Sequence, residues 1–251
     1  MIVSAENVRK RFGELAVLDG VCLQLAAGDR VGLLGPSGCG KTTFLRILVG
    51  LEKADGGEIE SRLSRAGYLP QDALLLPWKT VLENVALPLQ IRRVPRDTRR
   101  TEAVREVPRF GLSGFENAYP HEVSGGMRQR AALLRAVIAG ADALVLDEPF
   151  GALDTLTRLR LQDWLRGLMD DLGGTLLFVT HDLDEAVTLS DRVVVLSERP
   201  ATTVGEIRVG LNPEQRATRL AGPFIEAKER LMALVLDAVE GAGMAGEADG
   251  G

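Results

Sequence analysis

At 251 residues the chain can bury a sizeable core, and 45% apolar with 26% charged residues is the make-up of an ordinary globular protein. A formal net charge of −5 argues against a general electrostatic grip on nucleic acid or an anionic lipid surface, and two cysteines, Cys22 and Cys39, offer neither a disulfide framework nor a metal cluster. No apolar run nears the roughly 20 residues of a membrane-spanning helix, and Glu6, Arg9, Lys10 and Arg11 interrupt any leader-like stretch, so a cytoplasmic setting is expected.

From Met1 to Leu34 the pattern suggests strands, closing with the apolar residues Val31, Leu33 and Leu34 before Gly35. Thr42 to Val49 reads as a helix with Phe44, Leu45 and Leu48 on its apolar face. From about Asp72 to Gly140 apolar residues recur at helical spacing, first Val81, Leu82, Val85 and Leu89, later Val104, Val107 and Phe110. The run Arg92, Arg93, Arg96, Arg99 and Arg100 within this stretch reads as a solvated helix end and loop. Beyond it, short apolar runs at Ala143–Leu146, Leu176–Val179 and Val193–Leu196 alternate with helical stretches at Thr155–Leu168 and Leu183–Leu189. That alternation predicts an α/β fold with a mainly parallel sheet, into which 72–140 is a helical insertion. Residues 213–239 read as further helices, with Phe224, Ile225, Leu231, Leu234 and Val235 for packing, and the Gly/Ala-rich acidic tail 241–251 reads as disordered. The expected division is one domain over 1–240, with a core of 1–71 and 141–210, a helical subdomain of 72–140 and C-terminal helices at 211–240.

Gly35-Pro36-Ser37-Gly38-Cys39-Gly40-Lys41-Thr42 fits the phosphate-binding loop pattern in full, between a strand and a helix as that pattern requires. Glycines let the backbone turn its N–H groups inward on an anion, and the following helix adds the positive end of its dipole. Lys41 supplies a charge to the β- and γ-phosphates and Thr42, followed by Thr43, a hydroxyl for Mg²⁺. Cys39 reads as a small filler of the loop. A second motif, Ala143-Leu144-Val145-Leu146-Asp147-Glu148, is an apolar strand that ends in two carboxylates. Asp147 suits Mg²⁺, and Glu148 suits a general base that polarises the attacking water.

Ser124-Gly125-Gly126-Met127-Arg128-Gln129, ahead of this acidic pair, resembles the signature motif of the ABC (ATP-binding cassette) ATPases. The resemblance covers roughly residues 1 to 210. It implies the ABC ATPase fold, with an antiparallel N-terminal β portion beside the P-loop core, and an activity that turns ATP and water into ADP and phosphate to drive transport. It also implies roles one by one. Phe12 would stack on adenine; taken alone, it reads equally well as a core aromatic. Gln71 would be the Q-loop glutamine that feels the γ-phosphate through Mg²⁺ or water. Ser124, Gly125 and Gly126 would bind phosphate, Asp154 would belong to the D-loop, and His181 would be the switch histidine on the γ-phosphate. His121 has no such placement and reads as structural. The sequence departs from the usual motif in having Val123 and Met127 where leucine and glutamine are usual, which leaves the serine hydroxyl and glycine backbone in place.

Leu76-Pro77-Trp78-Lys79-Thr80-Val81-Leu82-Glu83-Asn84-Val85 and Glu148-Pro149-Phe150-Gly151-Ala152-Leu153-Asp154 are similar to importer ATPases of the nitrate, sulfonate and taurine type, and to those for thiamine precursors. The partners this resemblance implies are a second copy, head to tail, closing each signature over the other's ATP; a membrane permease, reached through the apolar segment Leu74–Trp78; and, indirectly, an extracytoplasmic solute-binding protein. The expected place is the inner face of the cell membrane. A non-transport ABC ATPase acting on nucleic acid or the ribosome is the alternative; one P-loop, one signature and no sustained heptads weigh against it.

Overall fold

The computed structural model describes residues 1–246 apart from Ala73, Ala152 and Ala221, with side chains as far as Ala238. The chain forms two compact units, one of Met1–Leu63 with Gln162–Gly251 and the other of Ser64–Leu161. The first opens with β1 (Val3–Phe12), β2 (Leu15–Leu25), β3 (Arg30–Leu34), α1 (Lys41–Leu48) and β4 (Gly56–Ser61). The second holds β5 (Ala66–Leu69), α2 (Val81–Val85), α3 (Leu87–Ile91), α4 (Arg96–Glu106), α5 (Gly125–Ile138) and β6 (Ala143–Asp147). Helix α6 (Thr155–Leu172) gives residues to both. The chain ends in the first unit with β7 (Thr175–Thr180), α7 (Leu183–Leu189), β8 (Arg192–Leu196), β9 (Thr203–Arg208), α8 (Pro213–Ala217) and α9 (Gly222–Gly246).

In the first unit β1 lies between β2 and β4 in a three-stranded antiparallel sheet. Strand β3 lies between β7 and β8, parallel to both, and β9 adds an antiparallel edge on β8. All six residues of β7 are buried, which explains its unbroken apolar sequence: a parallel strand covered on both faces has no wet face. Helix α1 buries Phe44, Leu45 and Leu48, the stripe its spacing predicts, and also Ile47, which that stripe did not include. Helix α9 packs Phe224, Ala227 and Leu231 against Ala186 and Val187 of α7 and Val193 and Val195 of β8. It continues to Gly246, past the point where composition predicts disorder; 247–251 lie outside the described residues.

In the second unit β5 and β6 pair in parallel. Thr80 and Glu83 form a reciprocal capping box at the start of α2. Asn84, fully buried, accepts from the Leu76 N–H at 2.7 Å and donates to the carbonyls of Leu76, Lys79 and Thr80. One amide side chain thereby fixes the loop ahead of the helix. No helix among the described residues is long and apolar enough to cross a membrane.

Strands β4 and β9 have no counterpart in the sequence reading. Their residues, Gly-Gly-Glu-Ile-Glu-Ser and Thr-Val-Gly-Glu-Ile-Arg, lie at sheet edges with most side chains partly or fully in solvent, so no apolar run marks them.

Candidate functional site

Parallel strands end on the same side, and loops at their carboxyl ends are where α/β folds gather ligands. Leu34 of β3 stands opposite Thr180 of β7 and Val195 of β8. The residues that follow the first two, Gly35 and His181, are therefore carried to one edge of the first unit. In the second unit Leu69 of β5 pairs with Leu146 of β6, so Gln71 and the pair Asp147 and Glu148 leave a common edge.

The glycine-rich segment turns from β3 into α1. Gly40 stands at φ 121°, and a Cβ there would lie 2.8 Å from both Leu18 Cδ2 and Val17 Cγ1. Conformation and space both demand glycine. Because Gly40 offers no side-chain cap, the first N–H groups of α1 stay available to an anion. Lys41, 4% exposed, folds its ammonium back on the loop and donates to the carbonyls of Gly35 at 2.8 Å and Pro36 at 2.7 Å. Cys39 is buried within the turn, and that burial pushes its thiol pKa up against the opposing pull of Lys41. Pro36, Ser37, Gly38 and Cys39 border a cavity of about 320 Å³ together with Glu198 and Arg199 from the turn between β8 and β9. No motif marks these last two residues in the sequence.

Phe12 sits at the end of β1, facing Leu15 across the hairpin, with 48% of its surface exposed. That excludes the core reading. The Lys10 ammonium lies 5.0 Å from the ring centroid and is held there by Glu52, Asp55 and the Lys53 carbonyl.

At the other acidic strand end, Asp147 is 1% exposed and accepts from the Tyr68 hydroxyl at 3.4 Å. Glu148 has φ 45°, the left-handed region that side chains other than glycine seldom occupy. Such local strain is found where a chain is held for a purpose. Ser124 caps α5, its hydroxyl accepting from the Met127 N–H at 3.2 Å, and is itself exposed. Gly126 packs so close to α6 that a Cβ would come within 2.8 Å of Thr157 Cγ2. Ser124, Gly126, Met127, Arg130, Thr157 and Arg160 border a cavity of about 170 Å³, so the departure at Met127 falls on its wall. Asp154 accepts from the Thr157 N–H at 3.1 Å, and the Thr157 hydroxyl and N–H hold its carboxyl below the usual range. Thr42 and Thr43 lie in the first turn of α1, Gly38 has φ 76° in the loop before it, and Gly125 is the first residue of α5. His121 stacks on Tyr119.

The arginine run has a shape that its sequence does not reveal. Arg96, Arg99 and Arg100 of α4 join Lys79, Leu82 and Glu83 around a cavity of about 270 Å³.

A P-loop between strand and helix, an acidic pair at a parallel strand end and a serine-capped glycine pair opening a helix together define a nucleotide-binding cassette. The chain belongs to the ABC transporter family, which residues 18–151 match. It is 42% identical over 212 residues to the aliphatic sulfonates import ATP-binding protein SsuB of Bacillus cereus, covering 80% of this chain and 83% of that one. It is 45% identical over 221 residues to the sulfate/thiosulfate import ATP-binding protein CysA of Burkholderia mallei, covering 82% of this chain but spanning only 62% of that relative. An uncharacterized ABC transporter ATP-binding protein of Methanocaldococcus jannaschii is 37% identical over 94% of this chain and 92% of its own length. Among solved structures, a dimeric ATP-binding cassette in a post-hydrolysis state with ADP and Pi superposes with a TM-score of 0.72 at 30% identity, covering 82% of this chain and 98% of that one. The fold is thus the ABC ATPase fold.

Proposed function

We propose that the chain is the ATP-hydrolysing subunit of an ABC importer, energising passage of a small solute of the nitrate, sulfonate or taurine type, or a thiamine precursor, through a separate permease. The observation that carries this reading is the phosphate loop: a buried ammonium held by two loop carbonyls beside a helix N-terminus that no side chain caps is the set of donors a triphosphate needs. The names of the relatives, which are import ATP-binding proteins, support it.

In this reading Lys41 and the N–H groups of 35–42 bind the β- and γ-phosphates, and Phe12 stacks on adenine. Glu148 takes a proton from the attacking water as the water oxygen bonds the γ-phosphorus and the bond from that phosphorus to the bridging oxygen breaks, ADP leaving with the electron pair, and His181 donates a hydrogen bond to the γ-phosphate. Ser124, Gly125 and Gly126 bind the nucleotide of a second copy, and Asp154 lines the same closure. Thr42, Gln71 and Asp147 offer a hydroxyl, an amide oxygen and a carboxylate, the hard oxygen set that Mg²⁺ takes. Bound there, Mg²⁺ would offset negative charge on the phosphate oxygens.

The division into core 1–71 with 141–210, helical subdomain 72–140 and C-terminal helices 211–240 is proposed with it. So is a place on the inner face of the membrane, where a permease and, through it, a solute-binding protein would be the partners. No role on nucleic acid is assigned.

The test is turnover of the purified chain. ATP hydrolysis should fall by about 10²-fold or more in Glu148→Gln while ATP binding persists, since the amide keeps the shape and loses the base. Near-normal hydrolysis in that variant would remove the general-base assignment. Absence of any permease from membrane pull-downs would remove the transport reading.

A further inference from the structure

His181 is flanked by hydrogen bonds on both sides. Thr180, 1% exposed, accepts from the Asp182 N–H at 2.9 Å and donates its hydroxyl to the Glu185 carboxylate at 2.6 Å. The Asp182 carboxylate in turn accepts from the N–H groups of Asp184 and Glu185, which caps α7 at the residue next to the histidine. Glu185 is itself 4% exposed, and a carboxylate so far from water is retained at a cost unless its oxygens are matched. Its second oxygen accepts from Gln162 Nε2 of α6 at 3.0 Å, and Gln162 is 1% exposed. The amide oxygen of Gln162 accepts from Arg219 at 2.9 Å. Arg219 lies between α8 and α9 and also pairs with Asp163 at 3.1 Å.

We propose that Glu185 is a positioning residue for His181, and that Arg219 sets Glu185 through Gln162, so that the C-terminal helices govern the readiness of the switch histidine. The inference rests on the reading in which His181 acts on the γ-phosphate. Each link has a fixed direction. Arg219 can only donate, which commits the Gln162 oxygen to it and turns the Gln162 NH₂ toward Glu185. Glu185, accepting that bond, turns its other oxygen to the Thr180 hydroxyl, and the hydroxyl's lone pair takes the Asp182 N–H. The chain through His181 is thus held on both sides by one side chain. A second grip follows the same route: α9 packs on α7, and Lys228 pairs with Asp184 at 2.8 Å.

The experiment measures ATP turnover of the full chain carrying Arg219→Ala or Glu185→Gln, each alone and each combined with His181→Ala. Each single substitution should lower kcat about tenfold and move KM for ATP by less than about twofold, because geometry at one reacting group is lost and nucleotide binding is not. In the His181→Ala background neither should lower kcat further by more than about twofold, since residues acting through one group are not additive. Arg219→Lys should restore most of the rate, as it can still donate to Gln162. Losses that multiply with His181→Ala overturn the proposal and assign the network to stability alone. An inert Arg219→Ala in a folded protein also overturns it, because it removes control by the C-terminal helices. Wild-type turnover in His181→Ala by itself would overturn the switch role beneath it, an outcome told apart by that one variant.

Discussion

An ammonium in a buried turn is costly without partners, and Lys41 has them in the carbonyls of Gly35 and Pro36. In the proposed function the same ammonium meets the β- and γ-phosphates. Lys41→Ala should weaken ATP binding by about 1.5–3 kcal/mol, the worth of a charge-assisted hydrogen bond. Calorimetry on the folded variant checks this, and unchanged affinity would contradict the role. The residues of this cradle were legible because a phosphate loop needs fixed residue types at fixed spacing, with Gly40 required by φ and by Val17 and Leu18 at once. Gln162, Glu185 and Arg219 were not. Each is a polar residue in or beside a helix, and such residues read as solvated until the fold buries them, as it does Gln162 and Glu185, or draws them into a network, as it does the half-buried Arg219. Phe12 lay between the cases: its motif was visible, but only its exposure separates it from a core aromatic.

Elements with continuous apolar runs or a clean helical stripe, such as β6, β7 and α1, follow directly from their sequences. Edge strands β4 and β9 do not, since their stability comes from a neighbour's ladder rather than from their own burial. Helix α7 shows how a short element is finished by a distant residue. Its seven residues end at Leu189, and the buried Arg216 of α8 donates to the carbonyls of Val187, Thr188 and Ser190 while pairing with Asp191 at 2.9 Å. Burial lowers the Arg216 pKa somewhat, and the Asp191 carboxylate opposes that fall. Arg216→Met keeps the volume and leaves those carbonyls orphaned, so stability should fall by about 2–3 kcal/mol. Urea unfolding of the two proteins would read it; an unchanged midpoint would mean that water caps α7 equally well. The segment 74–79 is the opposite case. Asn84 fixes its backbone, yet Trp78 is 70% and Leu74 62% exposed, so these side chains are not serving the protein's own core. An apolar surface on a rigid loop is the kind of feature a partner covers. Leu75→Glu should therefore leave ATP affinity intact and weaken co-purification with the permease. Normal assembly would move that contact elsewhere, and joint loss of ATP binding and fold would return Leu75 to the core.

At the scale of the whole molecule, Ser124 meets, in the proposed function, the nucleotide of a second copy rather than that of its own chain. It caps α5 with its own hydroxyl and is exposed, bordering a cavity lined by α5 and α6. If two identical chains close head to tail, symmetry makes both nucleotide sites alike, each built from the phosphate loop of one copy and the signature of the other. That arrangement has a consequence no single-chain site shares. In a mixed dimer of Ser124→Arg and Lys41→Ala chains, the two defects fall together on one site and leave the other site whole. Substituting the cap costs α5 about 1 kcal/mol, so the Ser124→Arg chain should still fold. Its homodimer and that of Lys41→Ala should each be nearly inactive. Mixing the two should recover activity beyond either alone, approaching the share of mixed dimers multiplied by one intact site in two. Tagging the chains differently and purifying through both tags isolates the mixed species. Activity in that fraction is what a shared site requires, while an inactive mixed dimer would mean that Ser124 serves the nucleotide of its own chain.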